Sequence, residues 1–480
     1  MNKTYRPWEP RQGFLLPPSP LDWLPKGHLA LFLLDVVATL DLSSLYAYYE
    51  REQRGYPPHH PQMMVTLLLY AYCIGVPSSR KIEKRCAEDV AFRVIASNTQ
   101  PDHTCISEFR RIHLSRLADL FVQVLKLCQR AGLVKLGHVA LDGTKEKANA
   151  SKHKAMSYER MKAQEEELAK KVAALLASAE SADTAEDAEH GKGRRGDELP
   201  EELRRSESRL ERIRTLKAEL EAEAREQAEA RQAAATEEAK SEAAVVEKKN
   251  VEAARAKTDS DDEPSPPPSS PLGGQPEPLP NHQVPTNREG TPTPKAQRNF
   301  TDADSRIMKT GDGFVQGYNA QIAVDAAAQI IVALGVSNQP PDCEHFIPML
   351  DRIVENLGAA PARVSADNGY LSEDNVRRAT SRGIDVYIAP GRLKHGKEDG
   401  PPTAENPESV KAQMRAKLAT DEGRAVYSRR KVIVEPVFGQ MKNRGFRQFL
   451  LRGLEKVRGE FALIGLSHNL LKLRAAMVSG

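Results

Sequence analysis

Apolar residues recur at helical spacing through the first third of the chain. Leu29, Leu31, Leu33, Leu34, Val37 and Leu40 make one face of a helix expected from Lys26 to about Tyr49. Met63, Met64, Leu67 and Leu68 mark a second helix from His60 to Ile74, which Gly75-Val76-Pro77 breaks. A third begins at Ser78 or Ser79, both good N-caps, and carries Arg80, Lys81, Lys84 and Arg85. Helix, tight turn and basic helix (residues 60–88) give the outline of a helix-turn-helix, whose second helix can enter a DNA major groove. A long helix from Thr104 to Arg130 follows, striped by Ile106, Phe109, Leu117, Leu120, Phe121, Val124 and Leu127 and closed by Gly132.

The period then changes. His138–Thr144 reads as a buried strand ending on Asp142, Val315–Val324 alternates in part, and Gln329–Val336 is an apolar strand. An amphipathic helix over Phe346–Leu357 precedes a short strand that starts at Arg363 and ends on Asp367. A helix from Ser372 to Arg382 and a strand over Ile384–Ala389 come next. Residues 390–423 read as a polar loop with a short helix. One helix is expected from about Lys431 through Lys442, with Glu435 on it, and a final apolar helix over Leu454–Met477.

Between the first and second of these strands the character is different. Ser157–Ala177 and Glu201–Glu223 are charged helices with near-heptad apolar anchors, suggesting an antiparallel hairpin. Residues 224–262 are rich in Ala, Glu and Lys. Residues 263–297 are rich in Pro, Ser and Gly and are expected to be disordered or extended. The expected organisation is therefore a helical DNA-binding domain over 1–135, a catalytic domain over 136–151 and 298–480, a charged helical insertion over 152–262, and a Pro-rich disordered linker over 263–297. Without the insertion, the order is strand, strand, strand, helix, strand, helix, strand, helix. The fold class is α+β, with a ribonuclease-H-like mixed sheet whose first three strands are antiparallel.

The bulk numbers change this picture little. The 480 residues suit about three domains, and the 40% apolar fraction fits a chain that is partly unpacked. The net charge of +3 is a weak signal on its own. Its distribution says more: between Arg429 and Arg458 nine Lys and Arg face only Glu435 and Glu455, a locally basic stretch suited to phosphates. The five cysteines have no zinc-like spacing and read as reduced thiols of a cytosolic protein. There is no signal-peptide pattern and no run of 18 apolar residues, so no membrane is expected.

The candidate chemistry lies in Asp142, Asp367 and Glu435. Each acid alone is most simply a turn or surface residue. In this order, two Asp at the ends of strands and a Glu on a late helix can converge on two divalent cations, which take oxygen ligands and leave room for substrate phosphates. Two such ions stabilise the attacking and leaving oxygens of a phosphodiester transfer. The pattern points to a metal-dependent enzyme acting on DNA.

Ala140-Leu141-Asp142-Gly143-Thr144-Lys145, Ala366-Asp367-Asn368-Gly369-Tyr370 and Val434-Glu435-Pro436-Val437-Phe438-Gly439-Gln440-Met441-Lys442 resemble the three acid motifs of the DDE transposases of bacterial insertion sequences. Residues 56–113 look like that family's N-terminal helical domain. The resemblance is to the broad group of these that carries a Tyr–Arg–Glu–Lys motif. Glu435 and Lys442 have the family spacing, Tyr427 and Arg430 are the counterparts of the other two, and Lys431 competes with Arg430, since it stands at the usual spacing before Glu435. The resemblance implies Mg²⁺ (or Mn²⁺), two ions, held by Asp142, Asp367 and Glu435. It also implies phosphate contacts by Tyr427, Arg430 or Lys431, Lys442 and Arg444, besides Arg80, Lys81, Lys84 and Arg85 of the helical domain. The expected partners are double-stranded DNA (terminal inverted repeats and target) and a second copy in a synaptic dimer, in the cytoplasm with the nucleoid. A nuclease that cuts without joining, and a non-catalytic DNA-binding derivative, remain open alternatives. The large insertion after the first Asp departs from well-studied relatives, which carry theirs between the second Asp and the Glu.

Overall fold

The computed structural model describes residues 19–51, 57–190, 201–255, 276–287, 289–311, 313–391 and 409–479. The Pro-rich start, the linker over 263–275 and most of the polar loop after 390 lie outside the described residues.

Six helices come first: α1 (Leu29–Ala38), α2 (Ser43–Tyr49), α3 (Pro61–Cys73), α4 (Ser79–Glu88), α5 (Val90–Ile95) and α6 (His103–Arg130). The single helix expected from Lys26 to Tyr49 is two. Thr39 closes α1, and Asp41 accepts from the Ser43 N–H at 2.9 Å to start α2. Asp102 caps α6 by accepting from the N–H groups of Thr104 and Cys105, both at 2.8 Å. α4 carries its four basic residues exposed and packs chiefly on α5 and α6.

The remainder is β1 (Val139–Lys147), β2 (Ala155–Ser157), α7 (Tyr158–His190), α8 (Glu201–Arg255), β3 (Gln297–Asn299), β4 (Arg306–Thr310), β5 (Gly313–Asp325), β6 (Ile330–Ser337), α9 (Phe346–Leu357), β7 (Arg363–Ala366), α10 (Glu373–Ser381), β8 (Asp385–Ile388), α11 (Val410–Ala419), α12 (Asp421–Ile433), α13 (Glu435–Asn443) and α14 (Leu454–Ser479). The main sheet runs β8-β7-β1-β5, and β4 and β6 pair with opposite ends of β5. β5 is antiparallel to β1, β4 and β6, while β7 and β8 are parallel to β1. This is the mixed sheet the pattern predicted, with β4 and the small β2–β3 pair added.

Backbone groups of β6 are taken up by side chains. Asn469 bonds both the N–H and the C=O of Ile331 at 2.9 Å, and Asn356, Arg352 and Arg458 donate to the carbonyls of Val332, Leu334 and Val336. These bonds leave less of the strand open to another chain. α14 packs on β6, α6 and α3 together. One hydrophobic cluster therefore runs from Leu29 through Phe121, Val139 and Ile331 to Leu473, joining the helical region and the sheet.

Two expectations for the insertion change. The Ala/Glu/Lys-rich stretch after Glu223 continues α8 to Arg255, in keeping with the high helix propensity of those residues. Part of the segment expected to be a disordered linker is packed: Leu279 and Val284 are buried, and Glu277 pairs with Arg378. α7 and α8 form the expected antiparallel hairpin. Glu165 pairs with Arg214 at 3.1 Å and Lys217 at 2.6 Å, and the Tyr158 hydroxyl donates to Glu221 at 2.6 Å.

Candidate functional site

β1 and β7 pair only over Val139–Ala140 and Val364–Ser365. Beyond that they part, and the two Asp residues sit at the split. Asp367 ends β7, as expected, and accepts from the Gly369 N–H at 2.9 Å. Asp142 is not a strand end: β1 continues past it to Lys147, because β5 pairs with β1 along its whole length. What ends at Asp142 is the support from β7. Its Oδ1 accepts from the Gly143 N–H at 2.9 Å. A side chain at Gly143 has no room, since its Cβ would lie 2.2 Å from the Gln321 amide nitrogen.

The single helix expected from Lys431 to Lys442 is two helices meeting at Val434. Pro436 is the cause. It has no N–H to bond the carbonyl of Val432, and a proline ring clashes with the carbonyl four residues before it. The freed Val432 carbonyl accepts instead from the Gln329 side chain at 2.8 Å. Gln329 sits in the β5–β6 turn with φ of 56°, and its own carbonyl accepts from His468 at 2.9 Å. With the break, α12 brings Arg430 to Asp142 while α13 brings Lys442 to Glu146 on β1.

Arg430 is the centre of that approach. Its guanidinium lies 3.4 Å from Asp142 Oδ2 and 3.4 Å from Glu435 Oε1, with its side chain only 10% exposed, and the Tyr427 ring lies 6.0 Å from it. Asp142 is 18% exposed and Glu435 51%. Burial pushes the Asp142 carboxyl up to about 6, against the pull of Arg430 and with repulsion from Asp367 and Glu435. Asp367 is also raised, first by burial and then by Asp342. Asp142 and Glu435 thus share one guanidinium with the charge of Asp367 felt beside them, and the site is short of positive charge.

Lys442 lies one turn-pair further on and meets Glu146 at 3.1 Å. Glu146 stands four residues after Asp142 on the same face of β1, and is 5% exposed. Its carboxyl is raised by burial against the pull of Lys442. Lys442→Met strands that carboxylate. The expected loss is about 1 kcal/mol, below the 3–5 of a fully buried pair because water screens a half-exposed lysine. Glu146→Gln added to it restores most of the loss, measured as a double-mutant cycle by urea denaturation; strictly additive losses would refute the pair.

The opposite face of β1 holds a further acid that the sequence did not single out. Asp342 Oδ1 accepts from Lys145 at 2.7 Å and from Asn319 and Gln321 at 2.9 Å each. Gln321 also accepts from the buried Tyr370 hydroxyl. Strand alternation from Asp142 could have flagged Glu146. Asp342 reaches Lys145 across 197 residues of sequence and left no local signal.

The other expected contacts are elsewhere. Lys431 is exposed, so Arg430 is the basic residue placed on the acids. Arg444 packs at the α3–α4 turn: a Cβ on Gly75 would lie 2.1 Å from its carbonyl oxygen, and Gly75 has φ of 76°. Arg80, Lys81, Lys84 and Arg85 project from α4; Lys84 faces Glu88 at 3.8 Å and Arg85 faces Asp89 at 3.0 Å. Among the described residues, no three His, Cys, Asp or Glu side chains lie close enough together to hold a metal ion as placed, since Arg430 stands between the acids. The donor set itself suits a hard cation: carboxylate oxygens in excess of positive charge.

An α+β protein with acids at a parting of strands and a basic helix beside them belongs to a recognisable class. Residues 284–470 match the family described as a transposase DDE domain, and residues 19–111 match a transposase domain. Together the two matches support an insertion-sequence DDE transposase, a kind of protein that acts on DNA. Asp367, Glu435 and Lys442 fall within the first match; Asp142 lies between the two. No curated protein and no solved structure matches the chain. No single helix among the described residues is long and apolar enough to cross a membrane.

Proposed function

We propose that the chain binds the terminal inverted repeats of its element as a dimer, cuts there, and joins the freed 3′-hydroxyl to target DNA. The observation that supports this reading is the convergence of Asp142, Glu435 and the strand-end Asp367 on Arg430. Mg²⁺ or Mn²⁺, held by Asp142, Asp367 and Glu435, would supply charge neutralisation of the phosphate and activation of the attacking oxygen. Arg430, Tyr427 and Lys442 bind and orient backbone phosphates beside the acids. The α4 residues Arg80, Lys81, Lys84 and Arg85 hold duplex away from the scissile bond. Domains follow the same division: a helical DNA-binding part before β1, and a catalytic part from β1 onward interrupted by the α7–α8 hairpin.

The test is a labelled linear DNA bearing the element's own ends, incubated with Mg²⁺. Wild type cuts and joins, whereas Asp367→Ala binds the ends and does neither. Cutting without joining by the wild type would make the chain a nuclease. Binding without cutting by both proteins would make it a non-catalytic DNA-binding derivative.

A further inference from the structure

An open cleft of about 840 Å³ lies at the base of the α7–α8 hairpin, with no acidic residue in its lining. Lys154, Arg160, Arg204, Arg205, Arg209 and Arg212 line it. On α8 the charge is sorted. Arg205 and Arg209 stand four residues apart and Arg209 and Arg212 three, so three guanidinium groups follow one another along one side of the helix. Like charges at that spacing cost a few tenths of a kcal/mol per pair, whereas a merely solvated helix gains by alternating signs. The same hairpin does alternate signs a little further on, where Glu165 takes both Arg214 and Lys217.

The cleft is also held in place. Tyr158, Leu220, Ala224, Val284 and Ala296 form a buried cluster beneath it. Arg298 binds Glu223 at 2.7 Å, tying α8 to β3, and β2 pairs with β3. Arg212 donates to the Phe300 carbonyl at 3.1 Å and Arg209 to Gln164 at 3.4 Å, which fixes two guanidinium groups at the wall. Lys154 is 12 residues from Asp142. That length of chain spans at most about 43 Å, little more than one turn of duplex at about 34 Å.

We propose that this cleft is a second binding site for the phosphate backbone of duplex DNA, engaged by the same duplex that lies at Asp142. Its walls offer guanidinium and ammonium groups, the side chains that pair with backbone phosphates and hold a duplex whatever its sequence. The proposal rests on the DNA-acting reading above.

The experiment measures binding of full-length protein to a fluorescein-labelled duplex of random sequence, three helical turns long, by anisotropy over a range of salt. The variant combines Lys154→Ala, Arg160→Ala and Arg204→Ala, all exposed side chains. A control with equal loss of charge combines Lys126→Ala, Arg130→Ala and Lys135→Ala; thermal melting confirms that both fold. Each lost phosphate contact lowers the slope of log affinity against log salt by about 0.9. The cleft variant is expected to lose about 2 to 3 from that slope and to bind at least tenfold more weakly at low salt, with the control unchanged. A wild type that binds and cuts, with a variant that keeps the full slope, overturns the cleft alone. A wild type that binds duplex with a cleft-dependent slope but never cuts element ends overturns the catalytic reading and leaves the cleft standing. A wild type that binds no duplex overturns both.

Discussion

Asp142→Asn is expected to lower DNA cleavage by on the order of a thousandfold while leaving the fold intact and the ends bound. Asp142 is mostly enclosed, and its carboxyl is pushed up to about 6, which means that the folded protein resists its charge near neutral pH. Asn keeps the shape and can still accept from the Gly143 N–H, and the lost attraction to Arg430 is offset by the burial cost that the charge no longer bears. A cation at the acids is worth several kcal/mol of transition-state stabilisation, and 4 kcal/mol is about a thousandfold in rate. A second readout needs no reaction. Mg²⁺ at ten times its dissociation constant stabilises the wild type by about 1.4 kcal/mol through mass action, a melting shift on the order of 2 °C. Asp142→Asn loses that shift. A variant that keeps both the Mg²⁺ shift and cleavage would remove Asp142 from the site.

Much of this arrangement could be read from the chain because it is local. The apolar stripe of α6, the short strands β7 and β8 between their helices, and the Asp367 turn are each set within a few residues. The antiparallel pairing of the first three long strands followed from the order of elements, and it held in the sheet. Three features escaped because their causes are distant or conflict with local pattern. The passage of β1 beyond Asp142 depends on its partner β5, some 175 residues later, which pairs with Lys147 as readily as with Val139. The break at Val434 was signalled by Pro436, but apolar residues on both sides masked it as one helix. The packing of the segment after 275 was hidden by its Pro-rich composition, since Leu279 and Val284 are too sparse to mark an ordered strap.

The basic member of the site shows how geometry decides between neighbours. Spacing before Glu435 favoured Lys431 over Arg430. One residue is a rotation of about 100° on a helix, so only one of them can face β1. The break before Pro436 turns α13 so that Glu435 comes beside Arg430, and Lys431 is left in solvent.

Arg430→Ala is expected to tighten Mg²⁺ binding and weaken catalysis at once. In the DNA-free protein the guanidinium is the cation among the acids, and it holds them loosely: 3.4 Å to each carboxylate, against about 2.7–2.9 Å for a strong charged bond. Its removal leaves Asp142 buried without its partner, at a cost of about 2–3 kcal/mol, somewhat below that of a fully buried pair because Glu435 is half in water. The same removal deepens the negative potential at the acids, and even at an effective dielectric of about 20 a unit charge 4 Å away is worth roughly 4 kcal/mol. Calorimetric titration without DNA should therefore show Mg²⁺ binding at least tenfold tighter in Arg430→Ala than in wild type, with the lost stability recovered as the ion is added. Cleavage should fall by about 10²–10³, the usual consequence of losing one fixed positive donor at a developing phosphate charge. Weaker Mg²⁺ binding in the variant would mean that Arg430 builds the acid cluster and does not compete with the ion for it. Unchanged cleavage would mean that the guanidinium never reaches the scissile phosphate.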